Sequence, residues 1–326
     1  MMGEETFNAP NRDAMVDILK GLAISLVLFG HCRSELNYLS RLCVGCHMPA
    51  FFFASGLVLS TRRSIAGFTL SKLRTLAWPF LTASLLYWIA LPDSRESIVR
   101  DTLAFTGSGP LWFLPTLGIA LLVARMTIGA SGRVWSRVGL LLLWLATCLL
   151  PSSLAPVIRE SPGLVVLVRS AIAFGFVYLG WMGRDVIREW SLLRFLPAAV
   201  AYFLLAELLR TRFVFDLRCA IVPDAAVYLS LALCGIAALV LASRIVSRHE
   251  TGLKRGLVWL GRNSLCLMIT HWVTLFYMKP IAQERISGHL LQQLVCFGFV
   301  FPWSLGATIL VDRYIPWFVR FGGRAA

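Results

Sequence analysis

Lys20 and His31 stand in the first apolar stretch of the chain with ten residues, Gly-Leu-Ala-Ile-Ser-Leu-Val-Leu-Phe-Gly, between them. At about 100° per helical residue, eleven steps make three turns plus roughly 20°, so the two side chains face the same way about 16 Å apart. A cation and an imidazole on one face of a bilayer segment are costly unless they are used. In use, the cation attracts an anionic donor and the imidazole serves as general base. The competing reading is that Lys20 snorkels to the headgroups and His31 caps the outer helix end. Asp13 and Asp17 fall on the same face, and Asp17, three residues before Lys20, is spaced to pair with it.

The elements that must hold this face follow from composition. The 326 residues are 58% hydrophobic and 15% charged, with mean hydropathy +0.74. Soluble domains carry about 25% charged residues, so the balance excludes an ordinary soluble fold and implies a polytopic membrane protein. Apolar runs cover 14–31, 48–60, 73–91, 110–126, 134–150, 163–182, 190–208, 225–243, 257–278 and 289–311. The expected fold is all-α, a helical membrane bundle of about ten transmembrane helices forming one domain over 1–326 with no appended soluble domain. The short second run contains Pro49 and Gly56 and reads as a broken or re-entrant helix. No internal repeat and no cleavable signal peptide stand out.

A net charge of +14 would suggest nucleic acid in a soluble protein; here its distribution sets orientation instead. Lys and Arg divide about two to one in favour of the side that holds the N-terminus, which places both termini in the cytoplasm. The eight cysteines do not form a disulfide framework, since Cys148, Cys234 and Cys266 fall inside apolar runs. Cys43-Val44-Gly45-Cys46-His47 matches a c-type haem attachment pattern, but Pro49 and an aromatic run follow at once; a labile disulfide or free thiols are the other readings.

Further candidates are scattered. His47 and His271 are either satisfied structural groups or site residues, and Ser264 shares a helix face with His271. Arg169 sits about six residues into its apolar run, too deep to snorkel easily, and is a candidate for a carboxylate or phosphate. Lys72 and Arg74 either follow the positive-inside rule or hold donor phosphates. Trp112 either anchors at an interface or stacks on a sugar. No metal motif, phosphate-cradling glycine loop or nucleophile elbow occurs.

The run Cys46-His47-Met48-Pro49-Ala50-Phe51-Phe52-Phe53-Ala54-Ser55-Gly56, together with Lys20-X10-His31, resembles the membrane acyltransferase-3 family, the O-acyltransferases of bacterial surface glycans. In the same order come Lys72-Leu73-Arg74 before Trp78-Pro79, then Gly109-Pro110-Leu111-Trp112-Phe113-Leu114, then Gly261-Arg262-Asn263-Ser264 leading to His271. Many relatives carry Arg where this chain has Lys20, which keeps the charge and loses the bidentate fork. The resemblance implies transfer of an acyl group, acetyl by expectation, from acetyl-CoA to a sugar hydroxyl. His31 is then the catalytic base and Lys20, Lys72 and Arg74 the donor-binding cations. Asp17, His47, Arg169, Trp112, Asn263, Ser264 and His271 complete the candidate site. It further implies no bound cofactor, acyl-CoA as co-substrate, a glycan or glycolipid acceptor, a lipid bilayer as surroundings and the bacterial inner membrane as location. The alternative from another class is a multi-pass transporter or exporter of a polysaccharide or small metabolite, its intramembrane cations lining a path.

Overall fold

The computed structural model describes residues 13–33, 35–130, 134–212 and 215–319. Both termini, whose sidedness the charge count addresses, lie outside the described residues. Among the described residues there is no strand, and the chain folds into successive helices. These are α1 (Ala14–His31), α2 (Tyr38–Leu57), α3 (Ile65–Lys72), α4 (Trp78–Ala90), α5 (Arg95–Leu103), α6 (Phe113–Ala130) and α7 (Val134–Ser153). After them come α8 (Ala155–Glu160), α9 (Pro162–Glu189), α10 (Leu196–Leu208), α11 (Ala225–Ser247), α12 (Gly252–Arg262), α13 (Ser264–Arg285) and α14 (His289–Tyr314).

Among the described residues, six helices are long and apolar enough to cross a bilayer: α1, α6 with the turn before it, α9, α11, α13 and α14. A seventh results if Ile65–Ala90 and Pro92–Leu103, which meet at 118°, count as one broken span. The apolar runs read as about ten spans are these seven plus α2, α7 and α10. Each of the three falls short for its own reason. In α7 the apolar part is Ser136–Leu149. α10 has 13 residues, about 20 Å of helix. α2 is a continuous helix through Pro49 rather than a broken one, and it begins ten residues before its apolar run. Its polar first half is satisfied by protein: Asn37 caps it at Ser40 N, and Arg41 donates to the Ala206 carbonyl and pairs with Glu207.

α1 is the central strut, packed against α2, α11, α12 and α13. Asp13 caps its start, accepting from Met15 N at 3.1 Å. Its contact with α12 is backbone on backbone: a methyl on Gly261 would lie 1.8 Å from the Asp17 carbonyl oxygen, and one on Gly21 would lie 2.2 Å from that of Leu257. Small residues at such crossings are what let membrane helices approach closely. The run 257–278, read as one span, is divided at Asn263 into α12 and α13, and the His271 of α13 meets the end of α1.

Candidate active site

His31 is the last residue of α1, and two other histidines reach it from different helices. His271 Nε2 lies 3.4 Å from His31 Nδ1. The His47 ring from α2 is 6.4 Å from the His31 ring, centroid to centroid, and the Trp272 ring 5.7 Å. The bonding pattern fixes which nitrogens carry protons. His271 Nδ1 is 3.0 Å from the Leu267 carbonyl, which can only accept, so Nδ1 donates and Nε2 keeps its lone pair. His31 Nδ1 then donates to that lone pair, which leaves the His31 lone pair on Nε2, the nitrogen turned away from His271. An imidazole oriented by a fixed partner on one nitrogen and basic on the other has the form a general base requires. His47 Nδ1 likewise donates to the Cys43 carbonyl, at 2.6 Å, inside the continuous α2 helix.

A cavity of about 420 Å³ runs along α1. Lys20, Leu76 and Ser264 line one end; His31, Arg33, Asp216, Arg218 and Lys279 line the other. Lys20 and His31 therefore share not only a helix face but one continuous space, some three turns apart. Between the ends the walls are largely apolar, from Ile24, Val27, Leu114, Leu117 and Met268. Trp112 and Trp272 flank the His31 end.

The Acyltransferase domain model matches residues 13–312, from the cap of α1 to near the end of α14. The chain belongs to the acyltransferase-3 family. No curated protein and no solved structure matches it. It is thus a multi-pass membrane acyltransferase.

In this acyltransferase the candidate residues separate into groups. Lys20, His31, His47, Trp112 and Ser264 all line the cavity. His271 is fully buried behind His31, and it is the Leu267 carbonyl rather than Ser264 that takes its Nδ1 proton. Asp17 is buried and accepts from Arg262 Nε at 3.0 Å, which clasps α1 to α12. Asn263 donates to the Trp259 carbonyl at the break between α12 and α13. Lys72 lies over the Phe68 ring, and Arg74 is exposed on the π-helical turn Leu73–Ala77; that segment reaches the cavity through Leu76 instead.

Arg169, the candidate for a carboxylate or phosphate, is engaged with backbone. It is 1% exposed, donates to the carbonyls of Arg218, Phe105 and Thr106, and sits over the Trp112 ring at 5.5 Å. It thereby ties two loops to the wall beside His31. Gly109 has a matching task. It adopts φ +55°, and a side-chain methyl there would lie 2.4 Å from the Trp272 indole, so only glycine fits between the loop and the ring against His31.

Trp272, Arg33, Lys279, Asp216 and Arg218 were not singled out from the sequence. Lys279 could have been, because a seven-residue step places it on the Trp272 face of α13. Arg33 follows His31 by two residues, and burial draws its guanidinium below the ordinary arginine value while Asp216 counters. Arg218 and Asp216 come from a loop, where periodicity carries no signal.

Proposed function

We propose that this membrane acyltransferase is an O-acyltransferase that moves a short acyl group, acetyl before others, from acyl-CoA to a sugar hydroxyl of a surface glycan or glycolipid. The observation that carries the reading is the single cavity lined by Lys20 at one end and by His31, with its orienting partner, at the other. The anionic nucleotide end of the donor rests toward Lys20, and the acyl-bearing arm extends between apolar walls to His31. His31 Nε2 takes the proton of the acceptor hydroxyl as the oxygen attacks the thioester carbonyl. The C–S bond breaks, the C–O ester forms, and the proton passes from His31 to the departing thiolate, which leaves as the free thiol. While His31 is protonated, its Nδ1–H bond to His271 is charge-assisted and stronger, so the partner favours the charged intermediate. The donor side is cytoplasmic, the acceptor side outward, and the membrane the bacterial inner membrane; the two-to-one distribution of Lys and Arg supports this orientation.

The test is the mass of base-labile acyl groups on surface glycans in wild type, a deletion strain, and the deletion carrying His31→Ala at equal membrane abundance. The expected result is an added acyl mass in wild type alone, with the variant's rate lowered roughly 10²–10⁴-fold. Full acylation by His31→Ala would remove the general base from the scheme. An identical mass profile in all three, with altered glycan export, would replace acyl transfer by transport.

A further inference from the structure

The charges around the His31 end of the cavity bear on the acceptor. Arg33, Arg218 and Lys279 line that mouth with a single carboxylate, Asp216. Arg33 and Lys279 are near enough for both charges to act on His31, and the Arg33 charge acts on Lys279 as well. None of the three cations is within ion-pair distance of a carboxylate among the described residues. Asp216 is partly committed, since its Oδ1 accepts from the backbone N–H of Arg218 at 2.9 Å. The mouth thus has an excess of two positive charges. Arg33 and Lys279 are half-buried, a placement that is expensive for charges without a full counter-charge, and Asp216 acts against that cost at Arg33.

The donor does not supply that counter-charge. In the proposed function, on which this inference rests, the thioester lies at His31 and the phosphates of the nucleotide lie three turns away toward Lys20. The acceptor is the remaining source. We infer that the acceptor glycan carries an acid group, a carboxylate or a phosphate, close to the hydroxyl that is acylated, and that Arg33, Lys279 and Arg218 hold that group while His31 works on the hydroxyl. Arginine's fork suits either oxyanion, and a cation cluster of this kind raises the local concentration of an anionic substrate. Arg169 keeps Arg218 in place through the Arg218 carbonyl, so the loop cation is held by the same guanidinium that fixes Trp112.

The test uses the full chain in lipid nanodiscs with radiolabelled acetyl-CoA. Saccharides and lipid-linked saccharides are extracted from the deletion strain and separated by anion exchange into a retained and an unretained pool. Label is expected in the retained pool. Arg33→Gln and Lys279→Gln should each raise the half-saturating concentration of that pool about tenfold at low salt without changing that for acetyl-CoA, and Lys279→Arg should restore it. Amidating the carboxylates of the pool, or stripping its phosphates with hydrofluoric acid, should abolish acceptance, and whichever treatment does so identifies the acid. Label in the unretained pool, indifference to both treatments, or variants that weaken acetyl-CoA rather than the acceptor would overturn the inference while leaving acyl transfer intact. No label in either pool with correctly folded wild-type protein would instead overturn acyl transfer itself. Comparing Lys279→Gln with Lys279→Arg guards against misfolding, since both replace the same long side chain.

Discussion

At the Lys20 end of the cavity, backbone meets backbone. Gly261 lies against the Asp17 carbonyl and Gly21 against that of Leu257, and the Asp17–Arg262 pair closes the same crossing. At the His31 end the close helix approaches are to side chains rather than backbone: a methyl on Gly235 would lie 2.3 Å from Cys46 Cβ and one on Gly30 3.1 Å from Cys43 Cβ. Side chains also reach across there: Arg169 binds three loop carbonyls, Trp272 fits over Gly109, and His271 reaches His31. The difference matches the two tasks. A donor phosphate needs a cation in roughly the right region, because charge acts over several ångströms. Proton transfer needs an imidazole of the right tautomer at hydrogen-bond distance. In the proposed scheme, the end assigned the chemistry is held by directional side-chain bonds, and the end assigned the donor by backbone-on-backbone packing.

The contrast predicts that the two ends fail differently, and Arg169 offers the largest break. Arg169→Met removes the donors of three partly buried carbonyls, at roughly 1–3 kcal/mol for each that finds no water. The apparent Tm in detergent should fall by an amount on the order of 5 °C, and limited proteolysis should open the chain near Thr106 and Arg218. Arg169→Lys should recover only part of this, because an ammonium cannot fork between both loops. A stable Arg169→Met protein with closed loops would show that packing alone holds the His31 end. At the opposite end, Gly261→Ala forces α12 away from α1 and costs about 1–3 kcal/mol through overpacking. The shift carries Asp17 and Lys20 with it. Steady-state kinetics should show the half-saturating acyl-CoA concentration raised about threefold or more, with kcat at saturation nearly kept. A fall in kcat instead would mean that the two ends are mechanically one.

Much of the donor end was legible in the sequence, because it depends on one helix. The eleven-residue step between Lys20 and His31 needs only helical periodicity, and both do line one cavity. The His31 cluster was less legible: His31 and His271 are 240 residues apart, and a contact at that separation leaves no periodic trace. The depth of Arg169 in its apolar run marked it as unusual, but its partners are backbone carbonyls, which have no identity in a sequence. Hydropathy alone also misjudged α2. Its polar half, with Arg41 and Asn37, read as a loop, because those polar groups are satisfied by residues of distant segments such as Glu207 and Gln293. Arg33, Arg218 and Lys279 counted only as charges on one side of the membrane, and the cavity shows that they meet beside His31.

The smallest and most discriminating break is at His271, which is not among the residues lining the His31 cavity and, in the proposed scheme, acts through His31. With His271→Phe, the Nδ1 proton of His31 loses its acceptor, and both tautomers of His31 become populated, one with Nε2 already protonated and useless as a base. The expected loss is on the order of tenfold in kcat, the size seen when an orienting partner is removed from a liganding imidazole. Half-saturating concentrations of donor and acceptor should stay as they were. His271→Gln should recover much of the rate, because its amide oxygen can still accept from Nδ1. A role in packing alone would reverse this order, since Phe fills the space of the ring better than Gln does. In a His31→Ala background the His271→Phe change should cost no further activity, because residues that act as one unit are not additive. A second, independent loss there would mean that His271 serves the reaction by some route other than His31.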